Sequence, residues 1–104
     1  MRLVLAIILA LAATPAVAKD DPAVRRGREL ATRLCGACHA VERGASSPNP
    51  KAAPLASRDM RHTAGIEGRL ERLTREGHYG MPPQSLSPRE VSDLKAYIDS
   101  LAPR

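Results

Sequence analysis

Residues 35–39 read Cys35-Gly36-Ala37-Cys38-His39, and the rest of the chain is organised around them. The run C-x-x-C-H is an attachment pattern for c-type haem. On a helix, Cys35 and Cys38 lie three apart and His39 lies four from Cys35, so all three project from one face. Two thiols at this spacing can each add to one vinyl group of a haem and form thioethers. The imidazole then stands beneath the iron as proximal ligand. A porphyrin must be fixed at two edge points and at its metal, and this spacing supplies all three.

Three other uses of the pattern fit less well. A thioredoxin-like redox pair belongs near a βαβ pattern, and no β-rich stretch is found nearby. A zinc site needs about four ligands, whereas the chain has two cysteines and three histidines with no second paired cluster. A disulfide between Cys35 and Cys38 would close a very short loop and stabilise little.

Residues 1–18 carry the marks of a secretory signal peptide. Arg2 is the positive start, Leu3 to Ala13 is uncharged and apolar, and Ala16-Val17-Ala18 has the small-x-small cleavage form. Pro15 and the charged run Lys19-Asp20-Asp21 keep the stretch shorter than the roughly 20 apolar residues of a membrane span. Retention as an N-terminal anchor is the alternative. Cleavage predicts no span in the mature chain and a periplasmic location. It leaves residues 19–104 as one small domain, and losing Arg2 takes sixteen basic residues to fifteen against eleven acids, a net +4.

The chain has two tyrosines, no phenylalanine and no tryptophan. A domain this small seldom builds enough core unaided and usually needs a staple. A haem, flat and aromatic, stands in for the missing rings.

The secondary-structure signals are helical. Asp21 as N-cap and Pro22 at the first helical position open a helix. Its narrow face of small groups is Val24, Gly27, Ala31 and Leu34. A glycine inside a helix costs about 1 kcal/mol relative to alanine, so Gly27 implies a close approach by another element. Glu42 to Pro54 is rich in Gly, Ser, Pro, Asn and Ala and reads as a loop around a cofactor edge. A second helix is expected from about Thr63 to Glu76, with Ile66, Leu70 and Leu73 as its stripe and Gly77 as C-cap. Residues 55–62 read as an additional short helical turn. Ser87, Pro88 and Glu90 make a capping box for a last helix. Leu86 staples onto Val91; Val91, Leu94, Ile98 and Leu101 face inward, Tyr97 flanks them and Pro103 ends the helix.

A proximal histidine leaves one axial position open, and its occupant decides function. The mature chain offers Met60, Met81, His62 and His78. Met81 leads, because Gly80-Met81-Pro82-Pro83 is a rigid, non-helical turn able to present a thioether. His78, three residues away, is its competitor. Met60 reads as packing in the core or against the haem, and His62 as a surface or propionate-side residue.

On these residues the sequence resembles the class I cytochrome c family, in particular its small bacterial periplasmic members. The resemblance spans residues 22–102 and rests on Cys35-x-x-Cys38-His39, Gly80-Met81-Pro82-Pro83, Leu94-x-x-Tyr97-Ile98 and Gly27 placed eight residues before Cys35. It implies an all-α cytochrome c fold over 19–104, three to four helices around one covalently attached haem c. It implies Cys35 and Cys38 as attachment points and His39 and Met81 as axial ligands. It implies terminal helices crossing with Gly27 against Tyr97, and the Pro54 carbonyl accepting the proximal imidazole N–H. Two departures stand out: Ala31 occupies a place where the family often has an aromatic, and aromatics near the propionates are missing apart from Tyr79.

The function implied is one-electron transfer between periplasmic redox partners, by a monomer or by a subunit of an oxidoreductase. A haem sensor or minor peroxidase with a labile sixth ligand is the alternative from another class. Surface Arg and Lys steer such a carrier toward acidic docking surfaces; nucleic-acid binding has no support beyond the same positive balance. The chain does not read as an enzyme, having no nucleophile–base pair and no phosphate-binding Gly-rich loop. Glu71, Glu76 and Asp99 fall on solvated helix faces.

Overall fold

The computed structural model describes residues 21–78 and 80–103. The expected signal peptide over 1–18 and the expected propionate-side Tyr79 lie outside the described residues. The chain folds as α1 (Pro22–Leu34), α2 (Arg58–Gly65), α3 (Arg69–Glu76) and α4 (Pro88–Ser100). Among the described residues there is no strand, only one isolated bridge between His78 and Met81. The fold is all-α, as expected.

The helix starts follow their local chemistry. The Asp21 side chain accepts the Ala23 N–H at 2.9 Å. At α4 the box is reciprocal: Ser87 Oγ accepts the Glu90 N–H at 3.1 Å, and Glu90 returns the bond to the Ser87 N–H at 2.9 Å. Each such cap is worth about 1 kcal/mol.

The single helix expected over 63–76 is two helices. Ile66 takes an extended conformation and Gly68 has φ of 74°, which breaks the helical path. Ile66, expected in the buried stripe, is therefore 38% exposed. The extra turn expected before it is a full helix, α2, capped by Ser57 Oγ on the Met60 N–H at 3.2 Å. At the far end α4 stops at Ser100, three residues short of Pro103. There the Arg43 guanidinium takes the carbonyls of Ser100, Leu101 and Ala102 at 2.6, 3.1 and 2.8 Å. A cation over the last carbonyls satisfies orphan acceptors and favours the negative end of the helix dipole.

The crossing of α1 over α4 is the tightest contact in the fold. A Cβ built on Gly27 would press into the Asp93 carbonyl oxygen and lie 2.7 Å from both the Asp93 carbonyl carbon and Tyr97 Cβ. Ala31, fully buried, lets the same backbones approach. Tyr97 is buried and its hydroxyl donates to the Val41 carbonyl. It is a core residue rather than a flank of the stripe. Leu55, Ala64, Leu70, Leu94, Ile98 and Leu101 complete the core.

Beside the crossing, Arg26 grips Asp93 with two hydrogen bonds, Nε to Oδ2 at 2.9 Å and Nη2 to Oδ1 at 3.1 Å. The hydrogen bond from Arg26 holds the Asp93 carboxyl below its ordinary range. The folded state thus binds a proton at Asp93 less readily than the unfolded chain does. This stabilisation is present above the unfolded pKa of about 3.9 and is lost as pH falls through the lower folded value. Asp93→Asn should therefore flatten the acid limb of the stability curve below about pH 4, measured by chemical denaturation at stepped pH; an unchanged limb would place the acid sensitivity elsewhere.

Candidate haem site

The helices and the two long connections enclose one large cavity of about 810 Å³, within the roughly 300–1,000 Å³ of small-molecule and cofactor pockets. Leu30 and Leu34 of α1, Leu70 and Leu73 of α3, and Leu94 and Ile98 of α4 form its walls. These walls make the cavity overwhelmingly apolar, and its polar atoms are few and local. A flat hydrophobic ring suits such a space.

Cys35, Cys38, His39 and Met81 all line it. Cys35 is the C-cap of α1, its N–H bonded to the Ala31 carbonyl at 2.8 Å. The next turn is closed by the His39 N–H on the Cys35 carbonyl at 2.9 Å. The helical geometry that brings Cys35, Cys38 and His39 to one face thus carries past the end of α1. Cys35 is half-buried and Cys38 exposed. Burial pushes the Cys35 thiol pKa up.

The His39 Nδ1 lies 2.6 Å from the Ala53 carbonyl oxygen. With Nδ1 donating there, Nε2 keeps its lone pair for a metal, and the ring cannot swing. The acceptor corrects the expectation by one residue. The Pro54 carbonyl instead takes the Ser57 N–H at 2.9 Å, at the entry to α2. Pro54 acts through its ring, which restricts Ala53 to extended backbone.

The loop over 42–54 returns to the motif through further bonds. Asn49 N–H donates to the Cys38 carbonyl at 3.1 Å and Leu55 N–H to the Ala40 carbonyl at 2.9 Å. Ser47 Oγ accepts the Ala40 N–H at 2.9 Å.

Across the chain from this loop, the Met81 segment is held at both ends. His78 and Met81 exchange backbone bonds, 3.3 Å from the His78 N–H and 2.8 Å from the Met81 N–H. Gln84 N–H donates to the Thr74 carbonyl at 2.7 Å, fastening the chain beyond Pro82 and Pro83 to the end of α3. Gly77, at φ of 75°, makes the turn possible, and a Cβ there would meet the Met81 carbonyl oxygen at 2.6 Å. Met60 and His78 also line the cavity, whereas His62 is exposed on α2 and outside the lining. Gly27 and Tyr97 stand outside the lining too, in the crossing behind it. Ala53, Gln84, Arg43 and the Arg26–Asp93 pair are the site's supports that the sequence did not announce. Their partners are distant in the chain or are backbone atoms, which leave no residue-type signal.

A haem c fits this donor set: two thiols at the motif spacing, an imidazole with its tautomer fixed, a thioether and an apolar slot. Comparison with known proteins agrees. Residues 22–98 match the family model described as cytochrome C oxidase, cbb3-type, subunit III. The chain belongs to the c-type cytochromes.

This cytochrome is also 32% identical over 99 residues to cytochrome c-552 of Bradyrhizobium diazoefficiens, a stretch covering 95% of this chain and 91% of that protein. No solved structure matches it. Family membership implies covalently bound haem c and electron transfer as the cytochrome's work. Domains of this family are typically exported. Among the described residues no helix of the cytochrome is long and apolar enough to cross a membrane.

Proposed function

We propose that this cytochrome is a monohaem one-electron carrier of the periplasm, with His39 and Met81 as axial ligands and thioethers at Cys35 and Cys38. The supporting observation is convergence: these four side chains, from two segments more than forty residues apart, line one apolar cavity. Haem c, when bound, supplies an iron that passes between ferrous and ferric states. His39 offers Nε2 while the Ala53 carbonyl holds its Nδ1 proton. The backbone bonds that anchor the Met81 loop would hold that side chain in place in either state, so little would rearrange on electron transfer. A thioether ligand favours the ferrous form relative to a second imidazole. His39 and Met81 would hold the iron between them and leave no position for a substrate, which would separate a carrier from an enzyme.

Export over residues 1–18 places this work outside the cytoplasm, where c-type haem is attached. A second reading is favoured by the family model, whose description is of an oxidase subunit: the chain serves as the haem-bearing subunit of a larger oxidoreductase. Sedimentation of the native material separates the two, a free carrier running as a monomer and a subunit running with its enzyme.

The attachment is tested by replacing both cysteines, Cys35→Ala with Cys38→Ala. Acid–organic extraction should strip all haem from the double variant and none from the parent. Retention of haem by the double variant would show a different covalent link.

A further inference from the structure

We propose that Arg43 is a positioning residue for His39, acting from the closed end of the loop whose two legs hold the imidazole. The inference rests on the reading of His39 as axial ligand above and concerns what keeps that ligand aimed. The chain leaves His39 as an outgoing leg, residues 40–43, turns at Gly44 with φ of 74°, and returns over residues 45–55. Bonds between the legs lace them together. Asn49 N–H reaches the Cys38 carbonyl, Ser47 Oγ accepts the Ala40 N–H, and the Ala40 carbonyl accepts the Leu55 N–H. The last of these contacts is the one that matters for the ligand: the Ala53 carbonyl on the returning leg faces His39 Nδ1 on the outgoing one.

Such a loop is ordinarily pinned by apolar side chains, and this one has few to offer. Among the described residues 41–54 none is buried, and Val41 alone packs against the core. Polar bonds must therefore fasten it to the helices. The Tyr97 hydroxyl donates to the Val41 carbonyl. Arg28 pairs with Glu42 at 2.7 Å, but both side chains are exposed, and an exposed ion pair contributes little.

Arg43 is the firmest of these anchors. Its guanidinium donates to three successive carbonyls, Ser100 at 2.6 Å, Leu101 at 3.1 Å and Ala102 at 2.8 Å. Hydrogen bonds from a charged donor are stronger than neutral ones, and the negative end of the α4 dipole adds to them. The anchor point is itself fixed, since Ile98 and Leu101 are buried in the core. One side chain at the turn thus steadies both legs. The lacing carries its hold to His39 on one leg and to Ala53, the acceptor, on the other.

Hydrogen exchange of the His39 Nδ1 proton, followed by NMR in the reduced haem protein, tests this. In Arg43→Ala that proton should exchange about tenfold faster than in the parent through local opening of the loop, with the Leu30 and Ala31 amides of α1 far less affected. Arg43→Lys keeps the charge but lacks the planar fork that spans three carbonyls. It should fall between the two, and it carries the test if the alanine variant does not accumulate. Ser87→Ala removes the cap at the opposite end of α4 and should reverse the order, accelerating the α1 amides more than the His39 proton. The midpoint potential of Arg43→Lys is the second readout. With the charge kept, a loosened Nδ1 hydrogen bond makes the imidazole less basic, so the potential should rise. Equal acceleration of the His39 proton and the α1 amides in Arg43→Ala overturns the inference, as does a His39 proton that keeps the parent rate in both Arg43 variants. A lowered potential in Arg43→Lys overturns it too. An Nδ1 resonance that does not move with the oxidation state of the protein would take His39 off the iron, and the carrier reading would then fall together with the inference.

Discussion

In Met81→Leu the long-wavelength sulfur-to-iron charge-transfer band of the oxidised protein should vanish, and the reduced protein should bind carbon monoxide stoichiometrically where the parent binds none. The midpoint potential should fall if another nitrogen takes the vacated place, because a thioether favours ferrous iron. The expectation is strong because leucine keeps the volume of methionine, an exchange cores tolerate at under about 1.5 kcal/mol. The supports of the loop are backbone bonds that the substitution does not touch: His78 with Met81, and Gln84 with Thr74. The fold should therefore persist and the loss should be confined to the ligand. Met60→Leu is the matched control, since Met60 also lines the cavity from α2. It should retain the band. A band that survives in Met81→Leu and disappears in Met60→Leu would reverse the assignment. Carbon monoxide binding by the unsubstituted protein would turn the reading toward a sensor or peroxidase with a labile sulfur.

What was legible in the chain beforehand was what neighbouring residues settle among themselves. Asp21-Pro22 and Ser87-Pro88 mark helix starts because the capping bonds close within three residues. Cys35, Cys38 and His39 declare their chemistry because their spacing is that of one helical turn. Met81 stands out because glycine and prolines on either side exclude the helix it would otherwise join. Distance hid the rest. Arg26 and Asp93 are 67 residues apart, and nothing in either local pattern tells a gripped carboxylate from a solvated one. Arg43 sits in a loop whose composition says only that it is not helical, yet it caps a helix that ends 57 residues later. The break between α2 and α3 was obscured because Ile66, Leu70 and Leu73 keep a helical period across it. Gly68 at positive φ interrupts that period. The acceptor for His39 was missed by one position because the proline marks the turn while its neighbour's carbonyl makes the bond.

Gly27 is where a single methyl group should do most harm to the fold. Gly27→Ala would gain about 1 kcal/mol of helix propensity, so an exposed position would be stabilised. Here the new Cβ meets the Asp93 carbonyl and Tyr97 Cβ, atoms in the middle of α4 that no rotamer change can move aside. The helices must separate. Overpacking of this kind costs typically 1–3 kcal/mol and occasionally more, and contact with backbone places Gly27 at the upper end. The net loss should be about 2 kcal/mol for alanine. At about 4–8 °C per kcal/mol for a domain of this size, the melting temperature should fall by about 10 °C or more. Separation would also pull Arg26 from Asp93 and draw the Tyr97 hydroxyl off the Val41 carbonyl, two residues beyond His39. Valine, with two further methyls, should prevent the folded haem protein from accumulating. Gly65→Ala is the control, at the end of α2 with nothing within 4 Å of the added Cβ. It should leave stability unchanged or raise it by up to about 1 kcal/mol. Equal melting temperatures for Gly27→Ala and the parent would mean that α1 and α4 do not cross in van der Waals contact at this point. The anchoring of the proximal segment through Tyr97 would then have to be given up as well.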